Sequence, residues 1–467
     1  MPDDFVPGLK QVVGNEAVLT ERADCWPYGY DNSRRQQCPD AVVFATTHEQ
    51  VQAIVRLCFH AGVPLTTRGR GTGTTGATTP IYGGVVLSLE RMDRIINIDP
   101  ANRCMTVEPG VTNQQVQQAA AAHGFFWPPD PTSAAFCSIG GNLAYNSAGP
   151  RAVKYGTPRE NTLRLRAVTG TGEELITGTY TTKGVVGYDL TRLLIGSEGT
   201  LAIITEATLK LTPSAESRRT MQAIYGDMSG ASEAVSRIMA QPVIPCALEF
   251  IDAQAIDMIR HYSPATLPHN AGAMLMIEVD GPADGIDSAA ARIEQAASTA
   301  TLLSFTTATT HAEVEALWQT RKALSPALRT VAPKKINEDV VVPVSNIPAL
   351  IQGLGELADK HSIRIVNFGH AGNGNIHVNL LIDPDDPRQL QNAESCLDEV
   401  FDLVLSLNGS LSGEHGVGLE KRDFVDRELG TTALTLMHQI KRCFDPGNIL
   451  NRDKTLPLET RSAGDTT

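Results

Sequence analysis

RGRGTGTTG, Arg68 to Gly76, contains Gly71-x-Gly73-x-x-Gly76, and the reading of that triplet decides what kind of α/β unit the first part of the chain forms. As a bare pattern it satisfies the dinucleotide fingerprint. The fingerprint requires a helix directly after the loop, so that the helix N-terminus meets a pyrophosphate. The next residues are ATTPIYGG, whose Pro80, Gly83 and Gly84 break any helix. A P-loop is excluded as well, because no GK[ST] occurs. The run therefore reads as a loop of glycines and threonines between two strands, PLTTR (64–68) and GGVVLSL (83–89). Without Cβ atoms in the way, its successive N–H groups can converge on an anion. Taken alone, the segment also reads as a plain surface turn.

The flanking sequence alternates short helix and strand patterns from 43 to 215. Thr46-x-x-Glu49 has the form of a capping box, opening a helix with Val51, Ile54, Val55 and Cys58 on one face and Gly62 as its stop. CMTVEPG (104–110) is a strand, and Asn113 to His123 is a Gln/Ala helix ending at Gly124. LRLRAVTGTGEEL (163–175) is a hairpin turning near Gly170 to Gly172, and TLAIITEATLKL (200–211) is a further strand. The composition shifts at Pro213 to Ser217. Beyond it, longer helices are expected near 230–241, 284–298, 311–330, 346–360, 389–406 and 432–443. Strands CALEFID (246–252), AMLMIEVD (273–280) and IRIVNFGH (363–370) lie between them. The result is an α+β chain of two domains: an N-terminal segment 1–37, then 38–215, then 216–455, with a polar tail 456–467 expected to be disordered.

Composition narrows the function. The chain has 467 residues, 42% hydrophobic and 19% charged, with 39 basic residues against 52 acidic ones and a net charge of −13. So acidic a chain is a poor nonspecific binder of nucleic acid phosphates, though a local anion pocket remains compatible with it. No apolar run approaches the length of a membrane-spanning helix. The start, MPDDFVPGLKQVVG, has no apolar signal core and no Arg-rich amphipathic character. The eight scattered cysteines contain no CxxC pair and read as free thiols of a reducing compartment. Cytoplasmic is the expectation.

Two further segments repeat the glycine-rich theme. PPDPTSAAFCSIGGNLAYNSAGPRAVKYGTPREN (128–161) reads as a long ordered loop, and GSEGTL (196–201) leads straight into a strand. Three such turns in one α/β domain point to a large nucleotide-like ligand. Among the eleven histidines, His370 and His377 bracket a tight turn, AGNGN, between two strands. Alternation puts His377 and Asn379 on one face. Glu414 and His415 lie in the turn SGEHGVG. Two imidazoles and a carboxylate suit a divalent cation; two histidines hydrogen-bonded at a sheet edge is the alternative. Arg321, in EALWQTRKALSPALR, is either a carboxylate fork or a solvated helix arginine.

In this order, the three glycine-rich segments together with FGHAGNGNIHVNL, SGEHGVG and FDPGNILN resemble the FAD-linked D-2-hydroxyacid dehydrogenases of the vanillyl-alcohol oxidase/p-cresol methylhydroxylase superfamily. The likeness runs from about 40 to 455. It implies a two-subdomain FAD-binding domain, an α+β substrate or cap domain and a C-terminal helical segment. It further implies that Arg68, Gly69, Gly71, Thr72, Gly73 and Thr74 cradle the FAD pyrophosphate. Pro129, Asp130, Thr132, Ser133, Ile139, Gly140, Gly141 and Asn142 would line the flavin. Gly149, Gly156, Glu198, Gly199 and Ile204 would complete the cradle near the adenosine half, with Asn451 near the isoalloxazine. No histidine stands between Arg68 and Gly76 to tether FAD, so it is expected to be noncovalent. The resemblance assigns a divalent metal, zinc or manganese, to His370, His377 and Glu414; His415, next to a ligand, is the candidate base. Arg321 and Asn379 would hold the substrate carboxylate.

The implied reaction is oxidation of a 2-hydroxyacid, D-lactate first, then D-2-hydroxyglutarate, then glycolate. Electrons would pass to a quinone, a cytochrome or an electron-transfer flavoprotein. The chain could pair as a homodimer and could sit peripherally on the inner membrane. Two departures from the family pattern stand out. Asn373 occupies a turn position that is acidic in several relatives. KKINEDVVVP places Asn337 where diacid-oxidising relatives carry a lysine, with Lys334 and Lys335 slightly upstream. Outside this family, the same His/His/Glu set suits a metallohydrolase, and the glycine-rich loops suit a non-catalytic flavin-binding subunit.

Overall fold

The computed structural model describes residues 1–260 and 267–459. Its contacts divide into two compact units. The first comprises Met1–Ala148, Gly156–Ser214 and the chain from Glu414 on; the second comprises Gly149–Tyr155 and Ala215–Gly413.

The first unit holds two sheets. In the smaller, β1 (Val18–Leu19), β2 (Ala41–Phe44), β3 (Leu65–Arg68) and β4 (Val85–Ser88) run in the order β1-β2-β4-β3, parallel except for β1. Parallel strands need a crossover, and helix His48–Ala61 supplies the one from β2 to β3, which flank β4. The capping residue is Thr47, not Thr46: its side chain accepts from Gln50 N–H, while Gln50 Oε1 accepts from Thr46. Val51, Ile54, Val55 and Cys58 face inward as expected, packing with Leu65, Val85, Leu87 and Leu450. Fully burying such side chains contributes about 1.5–3 kcal/mol each. Gly62 ends the helix at φ 63°.

The second sheet of this unit uses β5 (Ile95–Asp99), β6 (Cys104–Val107), β8 (Thr162–Thr169), β9 (Glu174–Gly178) and β10 (Ala202–Lys210), antiparallel in the order β5-β6-β10-β8-β9. β7 (Phe125–Phe126) and β11 (Thr212–Pro213) form a short ribbon. The 128–161 stretch, expected as one loop, contains helix Ile139–Tyr145. The Ser138 hydroxyl accepts from Gly141 N–H at its start, and Ile139 and Leu143 reach the core around Trp127, Leu165 and Leu209. Core contacts thus override two helix-weakening glycines.

The second unit is built on a seven-stranded antiparallel sheet. Its strands are β12 (Ser217–Tyr225), β13 (Ala247–Asp252), β14 (Ala273–Gly281), β15 (Leu302–Thr307), β16 (Lys334–Val341), β17 (Arg364–His370) and β18 (Asn375–Ile382), in the order β15-β12-β14-β13-β17-β18-β16. Ile251, Val366 and Phe368, on one face, pack with Ile256 and Leu328 of helices Ala253–Ile259 and Leu324–Val331. The helix expected over 311–330 is two helices, His311–Lys322 and Leu324–Val331; Pro326, which lacks an N–H, cannot continue the first one's ladder. No helix among the described residues is long and apolar enough to cross a membrane. Of the tail expected to be disordered, 460–467 lie outside the described residues, whereas Glu459 accepts from Arg442 at 2.7 and 2.9 Å.

Candidate active site

The first unit holds a partly open cleft of about 60 Å³, walled in part by Gly69, Pro109, Gly140, Gly141, Tyr145, Glu198, Gly199, Ile203, Ile204 and Asn451. Glycine is required by close approach rather than by flexibility. A Cβ at Gly69 would run into the Ser138 hydroxyl, one at Gly140 would come within 2.6 Å of Pro109 Cβ, and one at Gly73 within 2.5 Å of the Tyr145 hydroxyl. Gly199 sits at φ 70° and Glu198 at φ 53°. Asn451 ties the wall together: its Oδ1 accepts from Thr67 N–H at 3.1 Å, and its Nδ2 donates to Glu198 O at 2.5 Å.

Several residues expected at the cradle do not border this cleft. The Arg68 guanidinium is buried and donates to the carbonyls of Tyr30 (2.6 Å) and Pro27 (3.4 Å), so it anchors the N-terminal segment. Ile139 belongs to the hydrophobic core, and Asn142 Oδ1 accepts from Asn113 at 3.2 Å. Gly71, Thr72 and Thr74 share Gly69's loop without bordering the cavity. Pro129, Asp130, Thr132, Ser133 and Gly156 do not line it; Gly149, in the second unit, and Gly156 both have positive φ.

The end of the turn SGEHGVG, Gly416 to Gly418, packs on residues of this wall. A Cβ on Gly416, at φ 84°, would stand 2.5 Å from the Tyr145 ring. The N–H groups of Val417 and Gly418 donate to the two Glu198 carboxylate oxygens at 2.7 and 2.8 Å. Burial pushes the Glu198 carboxyl up to about 7 against those two donors. Leu419 N–H donates to Thr75 O at 2.7 Å. Within one seven-residue turn, His415 is therefore flanked by Glu414 and by residues fastened to the cavity.

In the second unit, β17 and β18 form the expected hairpin, with a 3-10 turn at Ala371–Asn373 and Gly374 at φ 75°. Gly372 does not have positive φ; it is small because Val153 packs against it. His370 pairs with Asn375, and His377 with Phe368. The two histidines are thus diagonal neighbours on one face, ring centroids 5.2 Å apart. Segment 410–413 is clamped to β16: Ser410 pairs with Val341, and Gly413 N–H donates to Asp339 at 2.9 Å. Glu414 is the next residue. The ligand-capable atoms of His370, His377 and Glu414 all lie within 4.8 Å of one another. That spacing and donor set fit a divalent cation.

Sequence reasoning missed Glu249. It sits on β13, pairs directly with His370, and its carboxylate contacts His370 Nδ1 at 2.5 Å and accepts from Arg321 Nε at 2.8 Å. Burial pushes this carboxyl up, yet His370 and Arg321 outweigh it and hold it down to about 2. Only its place in an otherwise apolar strand, CALEFID, marked it. The Arg321 guanidinium lies over Phe368, 4.8 Å from the ring centroid. Asn379 lies on β18, two residues beyond His377. It is fully buried, donating to Val366 O and His377 O and accepting from Asn337 Nδ2 at 2.8 Å. Its amide makes these three hydrogen bonds within the sheet.

Two family descriptions match this chain: "FAD linked oxidases, C-terminal domain" over residues 214–455 and "FAD binding domain" over 39–178. The chain belongs to the FAD-linked oxidases. Among its relatives is a glycolate oxidase subunit GlcD from Bacillus subtilis, 37% identical over 98% of both chains. Another is a D-lactate dehydrogenase from Archaeoglobus fulgidus, 34% identical over 89% of this chain and 91% of that one. A probable mitochondrial D-lactate dehydrogenase from Danio rerio is 32% identical over 97% and 92%. The solved structure of p-cresol methylhydroxylase superposes with a TM-score of 0.80 at 19% identity over 98% of both chains, which establishes the expected fold.

This FAD-linked oxidase is an FAD-dependent oxidoreductase, and the residues present fit the cofactor. The cavity narrows at glycines whose Cβ atoms would collide with its own wall, and it is lined by apolar side chains with few polar groups. Pro109, Ala144, Tyr145 and Leu194 also line it. They carry no sequence signature, because an apolar wall residue looks like any core residue.

Proposed function

We propose that this FAD-linked oxidase oxidises a small D-2-hydroxyacid, D-lactate foremost, to the 2-oxoacid. The observation that carries the reading is the donor set of His370, His377 and Glu414, whose ligand-capable atoms all lie within 4.8 Å of one another. FAD supplies the two-electron acceptor. A divalent cation held by His370, His377 and Glu414 supplies Lewis acidity toward the substrate's oxygens.

The remaining work falls to side chains. The His415 imidazole accepts the 2-hydroxyl proton on a ring nitrogen, a role suited to imidazole chemistry near neutral pH. Arg321 binds the substrate carboxylate with its Nη groups, since its Nε is committed to Glu249. Asn379 holds the backbone of the strand that carries His377. Leu89, Ala202 and Ile204, on the cavity wall, exclude water from the cofactor. The same relatives' names support glycolate as a substrate of this class. Lys335 lies two residues from Asn337 on β16, on the face shared with His377, and that placement favours D-2-hydroxyglutarate as a second reading.

The test is anaerobic mixing of the purified yellow protein with D-lactate, L-lactate, glycolate and D-2-hydroxyglutarate. D-lactate is expected to bleach the flavin fastest. No bleaching by any of the four would reject the proposal.

A further inference from the structure

Every residue of β13 is buried, and two of the six are acidic. Asp252 has a local use, accepting from Ala255 N–H at the start of the next helix. Glu249 has none. Both of its carboxylate oxygens are spent on the side chains of the candidate site: Oε1 on His370 Nδ1 at 2.5 Å, Oε2 on Arg321 Nε at 2.8 Å. The first contact follows from strand register, because Glu249 stands directly opposite His370. The second fixes an arginine that comes from helix His311–Lys322.

We propose that Glu249 is the positioning residue of the site, one carboxylate setting both which nitrogen His370 offers a cation and where the Arg321 guanidinium points. This rests on the reading of His370, His377 and Glu414 as a cation site. An anionic acceptor at Nδ1 keeps the imidazole proton there and leaves Nε2 with its lone pair for ligation. It also makes the imidazole more basic, which strengthens a metal bond. The Nε bond turns Arg321 so that its Nη groups, not its Nε edge, are left for an anionic substrate. Neither effect requires Glu249 to touch substrate or cation.

Burying a carboxylate is costly unless it is fully paired, so a purely structural ion triad is the competing explanation. The two differ in what they predict for the cation. The experiment uses the FAD-loaded full chain, stripped of metal with a chelator and titrated with Zn2+ against a chromophoric competitor. Glu249→Gln is expected to bind Zn2+ 10- to 100-fold more weakly, with flavin absorbance unchanged and a raised KM for D-lactate. A dissociation constant within about threefold of wild type, alongside a lowered melting temperature, would leave Glu249 a structural residue and overturn the inference. If the Gln variant loses flavin or does not fold, Glu249→Asp serves. Its carboxylate keeps the charge but is too short to reach both partners, and a Zn2+ affinity equal to wild type would overturn the proposal equally. A wild-type protein that takes up no Zn2+ would instead sink the cation reading on which the inference stands.

Discussion

His415 holds the chemical role most open to direct test at the scale of single residues. It sits between Glu414 and Gly416 in a turn pinned to the cavity wall. His415→Ala is expected to keep full flavin absorbance and lose about 10²- to 10⁴-fold in kcat; a variant with near-wild-type turnover would take the base role from it. Glu249 gives a second prediction, in stability. Its carboxyl is held at about 2 by His370 and Arg321 against burial, below the ordinary range near 4.5. A depressed carboxyl stabilises the fold fully above its unfolded value and loses that contribution as pH falls toward the folded value. The unfolding free energy from urea titrations should therefore drop between pH 4.5 and pH 2 by an amount on the order of 3 kcal/mol, and Glu249→Gln should flatten this part of the profile. The residue types of the site were legible because His, Glu and Gly-rich turns are rare in combination. Glu249 was not, because one acidic residue in a buried strand has no periodic signature and acquires meaning only from its cross-strand partner.

Elements were readable where a local rule fixed them. The inward face of helix His48–Ala61 followed from 3.6-residue spacing, and the β17–β18 hairpin from its glycine turn. Register was harder. The 3-10 turn at Ala371–Asn373 puts Asn375 opposite His370, so the histidines meet diagonally rather than face to face. Helix Ile139–Tyr145 was hidden because Gly140 and Gly141 argue against a helix locally, while the reason for both is tertiary. Gly140 N–H donates to Pro109 O at 2.8 Å, and Pro109 also blocks any side chain there. Gly140→Ala should accordingly force the cavity wall apart, at about 1–3 kcal/mol, and yield protein with substoichiometric FAD by its 450 to 280 nm absorbance ratio. Full flavin content in that variant would show that the wall yields more easily than its contacts suggest.

Across the whole molecule, sequence pattern pointed to an α+β chain with a change of character near residue 215, but not to the return of the chain into the first unit at Glu414. That return is made by long-range bonds with no local trace. Asn451 N–H donates to Leu65 O, Lys454 Nζ to Ala77 O, and the turn after Glu414 is fastened to Glu198. Glu414 and His415 sit on the segment that makes this return. The most direct measurement is stopped-flow bleaching of the flavin by D-lactate, in protein treated with a chelator and then resupplied with Zn2+ or Mn2+. Chelated protein should stay yellow and bleach at least 100-fold more slowly, with the rate restored by added metal. Bleaching at the untreated rate in metal-free protein would contradict the account.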